Sequence, residues 1–155
     1  MDELSNKMRL YLAEIYRLTD REQPEDGFVT TSALADMLMV SPPAVNRMVN
    51  RLKDLDLIEH EPYQGIKLTG AGVKEALLHL RAHRVAEAFL SKVMGFDWND
   101  IYAEASQISS ALNNTLIDRM EIMSGNPQFC PHGEPIPQAN GDVQALDDIL
   151  LSDAD

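Results

Sequence analysis

The chain has 155 residues, 13 basic against 25 acidic for a net charge of −12, and one cysteine. That length suits one domain or two small ones. A 45% hydrophobic content excludes an intrinsically disordered chain, and a lone cysteine excludes a disulfide-stapled fold and suits a reducing cytoplasm. No apolar run reaches the ~18 residues of a membrane span. Met1-Asp2-Glu3 is acidic where a signal peptide is basic, so neither membrane nor export is expected. The negative charge is uneven: the last thirty residues hold six acids and no base, whereas Ser41–Lys53 carries Arg47, Arg51 and Lys53 and no acid. Salt screens charges farther than about 8–10 Å apart, so a local basic element can still meet phosphate. DNA is not excluded.

Leu4, Met8, Tyr11, Ile15 and Leu18 recur at helical spacing and predict a first helix. A polar loop with Pro24 and Gly27 follows. Thr30, Thr31 and Ser32 can cap a short helix to about Leu38. Ser41 as N-cap with Pro42 at the first helical position starts the next helix, with Val45, Met48, Leu52 and Leu55 as its apolar face. Leu57–Glu61, the turn Pro62-Tyr63-Gln64-Gly65 and Ile66–Leu68 form a small hairpin. Thr69 then caps a long helix with Val73, Leu77, Leu80 and Phe89 facing a core, ended by Gly95. Asp97 caps a helix through Ile101, Ala105, Ile108 and Leu112, and a last one runs through Leu116, Met120 and Met123. Pro127, Pro131, Pro135 and Pro137 impose an extended loop. Val143, Leu146, Ile149 and Leu150, among five Asp, suggest a weak amphipathic helix in the tail.

Two short helices, a tight turn, a helix rich in Asn and Arg, and a hairpin make a winged helix-turn-helix. The expected fold class is therefore mainly α with a small β-wing: a DNA-binding domain over 1–70, a helical dimerisation domain over 71–140 and an acidic tail over 141–155. On the recognition helix Ala44, Asn46, Arg47, Asn50 and Arg51 point outward. Ala44 can approach a thymine methyl, Asn46 and Asn50 can pair with an adenine edge, and Arg47 and Arg51 can bind guanine or phosphate. Ser41 and Pro43 at the helix start, Thr31 and Ser32 on the preceding helix, and Tyr63, Gln64 and Lys67 on the wing complete the expected contact surface. A recognition helix reads few base pairs, so a homodimer on a palindromic double-stranded operator is expected.

Met8–Tyr16 (MRLYLAEIY), Val40–Val45 (VSPPAV), Tyr63–Thr69 (YQGIKLT), His83–Glu87 (HRVAE) and Cys130–Gly133 (CPHG) together resemble the diphtheria toxin repressor and manganese transport regulator family, from about Leu4 to Pro137. The resemblance implies a metal-responsive, dimeric transcription repressor, cytoplasmic, without the SH3-like third domain of longer members. It also implies a primary metal site, whose positions fall on Leu10 and Ala13 of the first helix and on Ser106, Ser109 and Ser110. Leu and Ala offer no donor, and Ser hydroxyls are poor ligands for Fe²⁺ or Mn²⁺, so that site is expected to stay empty. Ser106 and Ser110 would either hydrogen-bond a small polar ligand or satisfy one another. The ancillary site of the family maps onto His83 and Glu87, with Tyr102 in its third position and an anion-binding role at Arg84. Glu75 and His79 extend the same ladder, and Cys130, His132 and Glu134 can supply a further ligand to a divalent Mn, Fe, Zn or Co ion. The regulator is then metal-independent, responsive to another ligand, or served by a relocated site on His83 and Glu87. No nucleophile elbow or phosphate-binding glycine loop marks an enzyme. A winged helix used only for protein contacts is the alternative class, and salt dependence separates it from a DNA reader.

Overall fold

The computed structural model describes residues 4–140; the expected tail helix lies outside them. The chain divides into two compact units, Met1–Ala76 and Leu77–Asp155.

The first unit runs α1 (Asn6–Glu22), α2 (Thr31–Leu38), α3 (Pro42–Asp54), β1 (Ile58–Glu61), β2 (Gly65–Leu68) and the start of α4 (Gly70–Lys92). Each of the first three helices begins with a hydroxyl cap. Ser5, Thr30 and Ser41 accept from the backbone N–H of Met8, Ala33 and Ala44, answering donors that a helix start leaves unpaired. The stripe read along α1 is buried, as Met8, Tyr11, Leu12, Ile15 and Leu18 meet Leu34, Val45, Val49 and Leu52 in one core. Val49 fills the place expected of Leu55, which is 40% exposed. Leu55 lies on the same face as Met48, but α3 ends at Asp54 and Leu55 is its C-cap, where the chain leaves the helix.

β1 and β2 pair antiparallel, Ile58 opposite Leu68 and Glu61 opposite Gly65. Val29 adds a third rung through reciprocal backbone hydrogen bonds with Ile66 of 2.9 and 2.7 Å. Gly65 makes that approach possible: its φ is +117°, and a Cβ there would lie 2.1 Å from the Val29 carbonyl oxygen. Thr69 locks the hairpin to α4, donating to the Asp56 carbonyl and accepting from the Gly72 N–H.

The second unit holds the rest of α4 with α5 (Trp98–Ser109) and α6 (Asn114–Met123). Its apolar contacts are small: Ala82, Val85 and Ala88 with Ile117, Cys130 and Ile136, and Ala86 and Leu90 with Ala105. Phe89 is half-buried rather than fully inside. On α6 only Ile117 is buried, whereas Leu116 and Met123 are 48% and 63% exposed. The inward face of this short helix is set by its polar anchors, not by its most apolar stripe. Asp97 occupies the N-cap position of α5 but makes no side-chain capping bond. The proline-rich stretch doubles back instead of running extended: Phe129 bridges Pro135, and Ile136 N–H reaches the Gln128 carbonyl.

Candidate nucleic-acid interface and metal centre

On α3, Val45, Met48, Val49 and Leu52 point into the core, which turns Asn46, Arg47, Asn50 and Arg51 to the surface, with Ala44 half-buried among them. No acid lies between Ser41 and Lys53, so this face is locally cationic. Ser41 and Pro43 are exposed at its N-terminus; Ser32 is exposed and Thr31 half-buried at the start of α2. The wing carries a fully exposed Tyr63 at φ +69° and an exposed Lys67 whose Nζ stands 5.8 Å over the Phe28 ring. Sequence reading passed over Met39. It closes α2 in the left-handed region and is 90% exposed in the turn before α3, where nothing in its neighbours required an apolar side chain.

The second unit is unusual in burying charge. Arg81, Arg84 and Glu87, on α4, are each at most 5% exposed. The Arg81 guanidinium bonds Glu121 through both nitrogens (3.2 and 3.0 Å), Asp118 (2.8 Å) and the Pro137 carbonyl (3.0 Å). Burial alone would lower its pKa, but the two carboxylates outweigh that and the net shift is upward. Arg84 donates to the Pro135 carbonyl at 2.6 Å and to Glu134 at 3.4 Å. Two of its nitrogens thus hold the loop, where the resemblance had implied an anion, and its Nε is buried without a partner.

That clasped loop delivers Cys130 and His132 onto Glu87. Cys130 N–H bonds the Glu134 carbonyl and Gly133 N–H bonds the Cys130 carbonyl, each at 2.9 Å, closing a tight turn with Gly133 at φ +86°. His132 Nδ1 comes within 2.8 Å of Glu87 Oε2, and His83 Nε2 within 3.6 Å. Glu87 Oε2 and His83 Nε2 are nonetheless buried atoms with no hydrogen-bond partner of good geometry. Ligand atoms of Glu87, Cys130 and His132 lie within 4.8 Å of one another. Burial would raise the Glu87 pKa, yet the neighbouring imidazoles of His83 and His132 outweigh it and hold the carboxyl below its ordinary value. The Cys130 thiol is pushed up to about 11, first by burial and then by the charge of Glu87. A convergent carboxylate, thiol and imidazole pair with unpaired buried atoms is the donor set a borderline divalent ion takes. The residues present therefore fit a metal.

Other expected donors fall elsewhere. Glu75 faces Arg9 of α1 at 3.7 Å, and His79 is half-buried one turn further along α4. Tyr102 puts its ring, centroid 4.7 Å away, against His83. Leu10 is 38% exposed and Ala13 is buried in the core of the first unit. Ser109 is buried, whereas Ser106 and the C-cap Ser110 are exposed. Ser106 and Ser110, the pair spaced to share a face, are thus both on the surface, and Ser109 is turned away from them. Trp98, whose ring packs at a tilt against His132, and Arg81 were not singled out by sequence. The i, i+4 spacing of Trp98 and Tyr102 was the available signal.

A winged helix followed by a helical unit with a buried donor cluster defines a class of DNA-binding, metal-responsive regulators. Residues 3–66 match the iron dependent repressor N-terminal DNA binding domain, and residues 69–138 match the iron dependent repressor metal binding and dimerisation domain. The chain belongs to this family of metal-dependent transcription repressors. It is 32% identical over 120 residues to an uncharacterised HTH-type transcriptional regulator of Methanocaldococcus jannaschii, spanning 77% of this chain and 93% of that one. It is 31% identical over 138 residues to the iron-dependent repressor IdeR of Mycobacterium tuberculosis, covering 88% of this chain and 58% of that longer protein. Among solved structures it resembles IdeR of T. acidophilum (TM-score 0.75, 30% identity, 93% of this chain and 64% of that one). It also resembles a manganese-dependent transcriptional repressor in complex with manganese (TM-score 0.77, 31% identity, 88% and 61%). No helix among the described residues is long and apolar enough to cross a membrane.

Proposed function

We propose that this chain is a homodimeric transcription repressor that binds a palindromic operator through α3 and its wing and holds a divalent metal at Glu87, Cys130 and His132, with His83 beside them. The observation that carries the metal reading is the buried, unpartnered Oε2 of Glu87 at the meeting point of two imidazoles and a thiol. The donor set, with one sulfur, favours Zn²⁺, Co²⁺ or Fe²⁺ over Mn²⁺. A bound ion would tie the loop to α4 and draw Cys130 into its thiolate form. Leu10 and Ala13 supply no donor from α1, so the primary position of the family is left without metal and occupancy at Glu87 couples only weakly to DNA affinity. A ligand shifts an equilibrium only through differential affinity.

On the DNA side, Arg47 and Asn46 reach base edges or phosphate, and Tyr63 and Lys67 meet the flanking backbone. The test joins calorimetric titration of chelator-treated protein with Zn²⁺, Co²⁺, Fe²⁺ and Mn²⁺ to operator binding with and without each ion. Micromolar Zn²⁺ binding lost in His132→Ala is expected. Arg47→Ala and Asn46→Ala are expected to weaken operator binding by roughly 1–3 kcal/mol, Arg47→Ala with a shallower salt slope where it meets phosphate. Zn²⁺ binding that survives His132→Ala and switches DNA affinity would refute the relocated site. Undiminished DNA binding in both α3 variants would refute the interface.

A further inference from the structure

The cluster of Glu87, Cys130 and His132 is walled on one side by aromatic side chains of α5. Trp98 and Tyr102 stand one turn apart and are 57% and 48% exposed, a large apolar area to leave at a helix start without a reason. The His132 ring lies 4.4 Å from Trp98, tilted by 48°, and 6.4 Å from Tyr102 at 80°, an edge-on approach. Tyr102 in turn meets His83. The four rings form a continuous series, Trp98–His132–Tyr102–His83, joining α5, the loop and α4.

His132 differs in kind from the helix-borne Glu87. It sits at the tip of a turn between Pro131 and Gly133, and its side chain rotates about two bonds. Arg81 and Arg84 fix the returning backbone at Pro135 and Pro137, but neither touches the imidazole. What confines the ring is the Glu87 oxygen on one edge and the tilted Trp98 ring beside it.

Building on the metal site proposed above, we propose that Trp98 is a positioning residue for that site: by packing its ring against His132 it holds the imidazole toward Glu87 and Cys130 before metal arrives. Groups that orient a ligand raise metal affinity by reducing the freedom lost on binding. Tyr102 supplies the second wall in place of a third ligand.

Trp98 is the chain's one tryptophan, so its emission reports this packing directly. In the full-length, metal-free protein the His132 ring protons should be shifted upfield by the indole, and Trp98→Leu should abolish that shift. Zn²⁺ affinity, measured by chelator competition, should fall roughly two- to tenfold in Trp98→Leu, the scale of one aromatic pair. Trp98→Phe should restore much of it. In a His132→Ala background, Trp98→Leu should have no further effect. If the wild type binds Zn²⁺ and Trp98→Leu binds it equally well, or weakens it as much without His132, this inference is overturned and the metal site stands. If the wild type binds no Zn²⁺ at micromolar concentration, the metal site itself is overturned and this inference with it. Matching denaturation curves of wild type and Trp98→Leu keep a folding defect from imitating either result.

Discussion

Replacing Arg81 by Met tests whether the buried charge network holds the second unit together. The side chain is 4% exposed and makes four hydrogen bonds, two of them a fork on Glu121. Breaking a buried ion pair costs about 3–5 kcal/mol because a charge is left without its partner. Here the partners are the survivors, and Glu121 and Asp118 are 25% and 55% exposed, so both rehydrate. Met also refills most of the aliphatic volume. The cost therefore falls at the lower end, about 3 kcal/mol. For a chain of this length that lowers the melting temperature by roughly 6–12 °C. Urea titration should show a lower midpoint with an unchanged slope. Since the guanidinium is shielded from solvent ions, the deficit should persist from low to high salt. A loss under about 1 kcal/mol, or one that vanishes in high salt, would place Arg81 among ordinary surface pairs and refute the reasoning.

Three further outcomes follow from the same contacts. Gly65→Ala should destabilise the wing by about 3 kcal/mol, because a Cβ there meets the Val29 oxygen at 2.1 Å and the residue is held at φ +117°; a urea midpoint equal to the wild type would contradict this. Ser41→Ala should cost about 1 kcal/mol and Ser41→Gly only a few tenths, since glycine leaves the cap backbone open to water, both read from urea curves. Arg84→Gln should weaken Zn²⁺ binding about tenfold by releasing the loop at Pro135. Unchanged Zn²⁺ affinity, with a sulfate dependence lost in the variant, would return Arg84 to the anion role.

The winged helix was legible in sequence because its information is local. Hydroxyl caps at Thr30 and Ser41, Pro42 behind the cap, the 3.6-residue stripes of α1 and α3 and the turn at Tyr63–Gly65 each declare an element within a few residues, and burial of one helix face fixes the other as surface. Membership of the iron-dependent repressor family was legible for the same reason, through short ordered motifs. Leu55 was misplaced because periodicity tells that a face is apolar, not where the helix that carries it ends. The proposed metal centre was only half legible. His83 and Glu87 share a helix face by arithmetic, and Cys130 and His132 were candidates of the right chemistry. Only folding brings the loop back so that His132 meets Glu87 at 2.8 Å. Residues some fifty positions apart perform that step: Arg84 grips Pro135 and Arg81 grips Pro137. No spacing rule links an arginine to a distant backbone carbonyl, and burial decides both that the guanidinium must find oxygen there and that the Cys130 thiol is pushed above its ordinary pKa.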